Sequence, residues 1–251
     1  MMRVFLSFII VTLYSFTIGL TIYAIPIPDE LVPLTNTSEF AERKVAYLTF
    51  DDGPSHNTIP ILDILDKYQI KATFFVMANR QSYAKQAYEE MVRRGHTIAL
   101  HSNTHDYRRI YRSKDDFFKD MGKLESLLDH KYAINTKLIR FPGGSNNMLI
   151  QRSEKKSIRT DIISELERRG YTYFDWNVDS KDGISPMISQ QTITQSVLTG
   201  AKKHKQAVIL LHDIDDMKNT VRALPDIIIG LKKQGFEFEM ITEDNGKVQF
   251  P

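Results

Sequence analysis

The chain has 251 residues, of which 42% are hydrophobic and 25% charged, and its formal net charge is +2. Those values suit one large globular domain or two small ones and are too balanced to argue for a nucleic-acid partner. There is no cysteine, which excludes disulfides, thiolate nucleophiles, cysteine-based zinc sites and a lipid-modified N-terminal cysteine. Any metal must be held by histidine and carboxylate.

After Arg3 the chain runs without charge to Asp29. Residues 1–24 therefore read as an export signal or an N-terminal membrane anchor, through residues 4–24. A signal core spans ~7–15 residues and a membrane span needs about 20, so length alone leaves both readings open. Either one puts the rest of the chain outside the cytoplasm. Residues 25–43, with Pro26, Pro28, Pro33 and "TNTS", read as a linker. From residue 44 to residue 251 short apolar runs alternate with helical patterns. Strands are expected at Lys44–Phe50, Ala72–Met77, His96–Ser102, Lys137–Gly144, Tyr171–Val178, Ala207–Asp213 and Phe236–Ile241. Helices are expected between them, at Ile59–Gln69, Tyr83–Arg94, Lys114–His130, Ser157–Arg169, Gln190–His204 and Thr220–Gln234. Seven strands alternating with helices imply βαβ units and a mainly parallel sheet. No Gly-x-Gly-x-x-Gly and no P-loop follows the first strand, which favours an α/β barrel, distorted or incomplete, over an open nucleotide-binding sheet.

The ionisable residues collect at the strands' carboxyl ends. Asp51 and Asp52 end the first expected strand; His101 ends the third, with His105 four residues on. Arg140 lies on the fourth, Asp179 follows the fifth, and His212 ends the sixth. In barrels and open α/β sheets these ends form one face, and that face carries the site. Two histidines and an aspartate make the donor set of a catalytic zinc, and a cation would relieve the repulsion between Asp51 and Asp52. A metal beside a free carboxylate is the equipment of hydrolysis.

Five short segments, "TFDDGP" (Thr49–Pro54), "HSNTH" (His101–His105), "RFPGG" (Arg140–Gly144), "DSKDG" from Asp179 and "LLH" (Leu210–His212), stand in the order of the motifs of the polysaccharide deacetylases. The chain thus resembles that family, carbohydrate esterase family 4, with its NodB homology domain. The resemblance implies a distorted (β/α)7–8 barrel over residues 44–251 that removes N- or O-acetyl groups from polysaccharides. Export beside a cell wall makes the N-acetylglucosamine units of peptidoglycan the first substrate and a chitooligosaccharide or exopolysaccharide the second; the alternative is a catalytically weakened carbohydrate-binding surface protein on the same scaffold. The resemblance also implies Asp52, His101 and His105 as metal ligands, with zinc the first candidate and cobalt, manganese or nickel as alternatives. It implies Asp51 as general base, Arg140 as its partner, His212 as general acid and Asp179 as the group orienting His212. The Gly143 N–H would stabilise the oxyanion, and Leu210 would line the acetyl pocket. Two departures stand out. Gly183 occupies the usual tryptophan position of the fourth motif, and Gly143 stands where many relatives have tyrosine. Asp182 and Asp213 read as capping or turn residues, and "YRRIYR" (Tyr107–Arg112) as a solvated charge run.

Overall fold

A computed structural model describes residues 43–147 and 158–251. The segments expected to be a signal or anchor (1–24) and nearly all of the linker lie outside the described residues. No helix among the described residues is long and apolar enough to cross a membrane.

Among the described residues, eight parallel strands form one curled sheet. They are β1 (Lys44–Asp51), β2 (Thr73–Met77), β3 (Thr97–Ser102), β4 (Leu138–Ile139), β5 (Thr172–Tyr173), β6 (Val178–Asp179), β7 (Gln206–His212) and β8 (Phe236–Phe238). The path runs β5-β4-β3-β2-β1-β7-β6, and β8 pairs with the start of β1. The barrel is thus incomplete, open between β5 and β6. The helices are α1 (Thr58–Lys67), α2 (Ser82–Arg93), α3 (Tyr107–Ile110), α4 (Lys114–Tyr132), α5 (Ile158–Arg168), α6 (Gln190–Ala201) and α7 (Lys218–Lys233). This is the half-barrel that the alternation of strands and helices predicts.

Strand parity decides what faces inward. Side chains alternate across a strand, and two apolar layers divide accordingly. Ala46, Leu48 and Phe50 of β1, Leu100 of β3, and Ile209 and Leu211 of β7 pack outward with the helices. Val45 and Tyr47 of β1, Phe75 of β2, Ala99 of β3 and Val208 of β7 fill the interior. Continuing the inward parity by twos reaches Thr49 and Asp51 on β1, His101 on β3, and Leu210 and His212 on β7. The same alternation that fills the barrel with apolar side chains delivers the polar ones to its mouth.

The expected strand Tyr171–Val178 breaks into β5 and β6. The Phe174 N–H still bonds the Ile139 carbonyl, but Asp175 turns to the Val248 carbonyl, and side chains brace the stretch between the two strands. Arg140 donates to the carbonyls of Phe174 and Asp175, and the Asp175 carboxylate accepts from Ser145 N, Ser145 Oγ and Phe250 N. Trp176 packs edge-on against Phe250, a structural role for the chain's single tryptophan.

Candidate active site

At the end of β1 the backbone sends two neighbouring carboxylates apart. Asp51 keeps strand parity and turns inward. Asp52 adopts a left-handed conformation at φ +72°, sparsely populated for residues other than glycine but accessible to aspartate. Its carboxylate thereby leaves the barrel and meets the "HSNTH" loop. His105 is also left-handed, at φ +54°, and such backbone persists only where its surroundings impose it.

Here those surroundings centre on Asp120 of α4. Its Oδ2 accepts from Ser102 Oγ at 2.7 Å and Asn103 N at 2.8 Å, and its Oδ1 accepts from Thr104 Oγ1 at 2.7 Å. Ser102 Oγ in turn accepts the His105 N–H at 2.8 Å. The loop between the two histidines is therefore folded around one buried carboxylate.

Asp52 Oδ1 lies 3.3 Å from His101 Nε2 and 3.1 Å from His105 Nε2. These atoms form the metal-capable cluster among the described residues. His101 Nδ1 lies 3.0 Å from the Arg140 carbonyl, which can only accept, so Nδ1 carries the proton and Nε2 turns its lone pair toward Asp52. Asp52 Oδ1 is buried and makes no hydrogen bond among the described residues. An acceptor facing an acceptor in a buried place calls for a cation between them. Donors bound tetrahedrally at about 2.0–2.2 Å lie roughly 3.3–3.6 Å apart, close to the spacing observed, so this donor set fits a divalent metal.

Arg140 occupies the barrel interior and is 0% exposed. It donates to Asp51 Oδ1 at 2.8 Å and Thr49 Oγ1 at 2.7 Å, besides the two carbonyls above, and its guanidinium lies 4.0 Å from the Phe75 ring centroid. The other oxygen of Asp51 has no hydrogen-bond partner among the described residues. Asp51 is thus a fixed carboxylate with one face free.

His212 stands directly opposite Asp51 in the β1–β7 register. Its orienting carboxylate is Asp182. Asp182 Oδ1 lies 2.7 Å from His212 Nδ1 and also accepts from Ser180 Oγ. Oδ2 accepts the His212 N–H at 2.8 Å and the Thr220 hydroxyl at 2.8 Å. Burial lowers the imidazole's basicity, yet the Asp182 carboxylate, helped by Asp51 and Asp52, raises it to about 9. Asp182, and not the expected Asp179, is the carboxylate on His212. Asp179 sits at the rim and binds Lys181, taking its N–H and its ammonium at 2.7 Å each. Lys181 is left-handed at φ +68°, and this turn swings the 3-10 segment Asp182–Ile184 back beneath His212. Two carboxylates three residues apart gave the sequence no means of choosing between them.

Leu210 is buried on the same face of β7 as His212. Gly143 is exposed, at φ +74°, and its N–H has no partner among the described residues. Gly183 lies against His212, where a Cβ would come 2.6 Å from the ring's Cε1. Asp213 is a buried anchor as its turn reading expects, accepting from Ser55 Oγ and Thr58 Oγ1. Burial raises its carboxyl to about 6. Sequence reasoning missed Asp120 and Thr49 as supports of the site and read Tyr107 as solvated, whereas its ring packs edge-on against His105 with centroids 5.0 Å apart.

A free carboxylate, a basic imidazole and a metal-capable trio around one mouth define a hydrolytic site on an incomplete parallel barrel. A family model described as Polysaccharide deacetylase matches residues 39–160. A peptidoglycan-N-acetylglucosamine deacetylase of Bacillus cereus is 35% identical over 209 residues, 81% of this chain and 71% of the relative. The catalytic domain of the peptidoglycan N-acetylglucosamine deacetylase from Eubacterium rectale superposes with a TM-score of 0.76 at 37% identity, covering 83% of this chain and 93% of that one. The polysaccharide deacetylase Bc1974 from Bacillus cereus does so with a TM-score of 0.70 at 31% identity, covering 83% and 96%. The chain belongs to the polysaccharide deacetylase family, hydrolases that act on amide bonds.

Proposed function

We propose that the chain is a metal-dependent N-deacetylase that removes acetyl groups from N-acetylglucosamine units of peptidoglycan outside the cytoplasm. The observation that carries this reading is the orphaned Asp52 Oδ1 between two imidazole nitrogens, flanked by the Asp51–Arg140 and His212–Asp182 pairs. Asp52, His101 and His105 would hold a divalent cation, zinc first, with cobalt, manganese or nickel as alternatives. Bound there, it supplies Lewis acidity beside the scissile amide.

The chain's own groups account for the proton movements. The free oxygen of Asp51 takes a proton from the attacking water, and Arg140 keeps that carboxylate ionised and aimed. As the water oxygen bonds to the acetyl carbon, the Gly143 N–H donates to the carbonyl oxygen that gains negative charge. Leu210 lines the space for the methyl group. His212, charged through Asp182, gives its proton to the sugar nitrogen as the carbon–nitrogen bond breaks. The products are acetate and a glucosamine unit. A base and an acid in contrasting environments are what such a division of labour requires.

The names of the similar proteins support peptidoglycan as substrate, and the uncharged segment 4–24 supports export. Acetate release from purified wall fragments, compared with a chitooligosaccharide, tests the reading. Release from neither substrate by metal-loaded protein contradicts it.

A further inference from the structure

Gly143 is a glycine for two reasons. Its φ of +74° disfavours other residues, and a Cβ there would lie 2.9 Å from Tyr107 Cε1 and 3.1 Å from the Tyr107 hydroxyl. The space beside the "RFPGG" loop therefore belongs to a side chain from a different segment. Tyr107 is held there from both directions. Asp106 caps α3 through the N–H groups of Arg108 and Arg109, which fixes the start of the helix. Tyr111, one turn along, donates its hydroxyl to the Pro142 carbonyl at 2.8 Å and so ties α3 to the loop that carries Gly143. Asn147 closes the other flank by donating to the carbonyls of Pro142 and Gly144. The Tyr107 ring thus stands between His105 and Gly143, half-buried, and its hydroxyl makes no hydrogen bond among the described residues.

A rigid phenol with an unused hydroxyl, next to an exposed and unpartnered backbone N–H, is suited to grip a polar ligand. We propose that Tyr107 is a substrate-contacting residue, its ring forming the pocket wall that Gly143 cannot supply and its hydroxyl bonding an oxygen of the bound N-acetylated sugar. The inference rests on the deacetylase reading and adds a contact that the five motifs do not contain. Since Tyr107 lies beside the ligand set without belonging to it, its loss weakens sugar binding and leaves metal binding in place.

The test compares wild type, Tyr107→Phe and Tyr107→Ala as full, zinc-loaded chains. Calorimetry measures the Kd for an N-acetylglucosamine tetramer, acetate release gives kcat and KM, and metal content is counted. Removing the hydroxyl alone is expected to weaken tetramer binding about three- to tenfold, the size of one net hydrogen bond. KM should rise by the same factor while kcat and bound zinc change less than about twofold. Tyr107→Ala should weaken binding further, again with zinc retained. Unchanged tetramer affinity in Tyr107→Phe overturns the hydroxyl contact, and unchanged affinity in both variants overturns the whole proposal. Zinc lost in both variants overturns it in favour of a purely structural role for the ring. A wild type that binds the tetramer without releasing acetate contradicts the deacetylase reading and leaves the binding comparison to decide the role of Tyr107.

Discussion

Asp182 meets His212 twice, at the ring nitrogen Nδ1 and at the backbone N–H, with one carboxylate oxygen for each. A single side chain therefore fixes both the orientation of the imidazole and the end of the strand that carries it. Asp182→Asn keeps one acceptor oxygen and forfeits the charge. We expect kcat to fall about 10²-fold or more, in the range of a lost acid–base group, while Asp179→Asn stays within about twofold of wild type. Equal losses in the two variants would return the role to Asp179.

The same pair sets a pH dependence. The folded-state value of His212, raised to about 9, exceeds the ordinary ~6.5. In metal-free protein the Asp182–His212 interaction thus stabilises the fold fully below about pH 6.5, and this contribution is lost as pH rises through about 9. A carboxylate favours the imidazolium, so Asp182→Asn moves the imidazole titration to lower pH. Two-dimensional NMR titration of His212 in metal-free wild type and variant measures both midpoints; an unmoved midpoint contradicts the assignment.

Gly183 invites the substitution that would restore the family's usual residue. Because a Cβ at this position would lie 2.6 Å from His212 Cε1, Gly183→Trp must displace the imidazole. An ångström of misplacement can cost about 10²-fold, so we expect kcat to drop steeply while circular dichroism keeps the wild-type signature. A gain in kcat would mean that the ring accommodates the new side chain.

Asp120 reaches His105 only through the loop. Asp120→Ala leaves the Ser102 and Thr104 hydroxyls and the Asn103 N–H without their acceptor, and outer-shell losses of this kind weaken metal affinity by roughly 10–100-fold. Competition with a chromogenic chelator measures the zinc Kd. Wild-type affinity in this variant would show that the left-handed His105 is held without Asp120.

Much of this was legible in the sequence. Apolar runs separated by helical patterns marked the parallel strands, because strands buried on both faces must be apolar throughout. Polar residues at strand ends marked the mouth, and inward parity brings Asp51, His101 and His212 to one place. What sequence could not show was set by turns and by contacts distant along the chain. The left-handed Lys181 exchanges Asp179 for Asp182 beneath His212. Beyond Phe174 the chain leaves the ladder, Asp175 bonding Val248, Ser145 and Phe250 instead, so one expected strand becomes two short ones. Tyr107 sits in a run rich in arginine and reads as solvated, since nothing local reveals that a glycine some 35 residues onward leaves room for its ring.

In the proposed mechanism Asp52, His101 and His105 gather one catalytic cation beside Asp51. Acetate release from an N-acetylglucosamine oligomer, followed before chelation, after it and after zinc is returned, tests it most directly. Release should stop with the chelator and resume with one equivalent of zinc per chain. Undiminished release in excess chelator would contradict it.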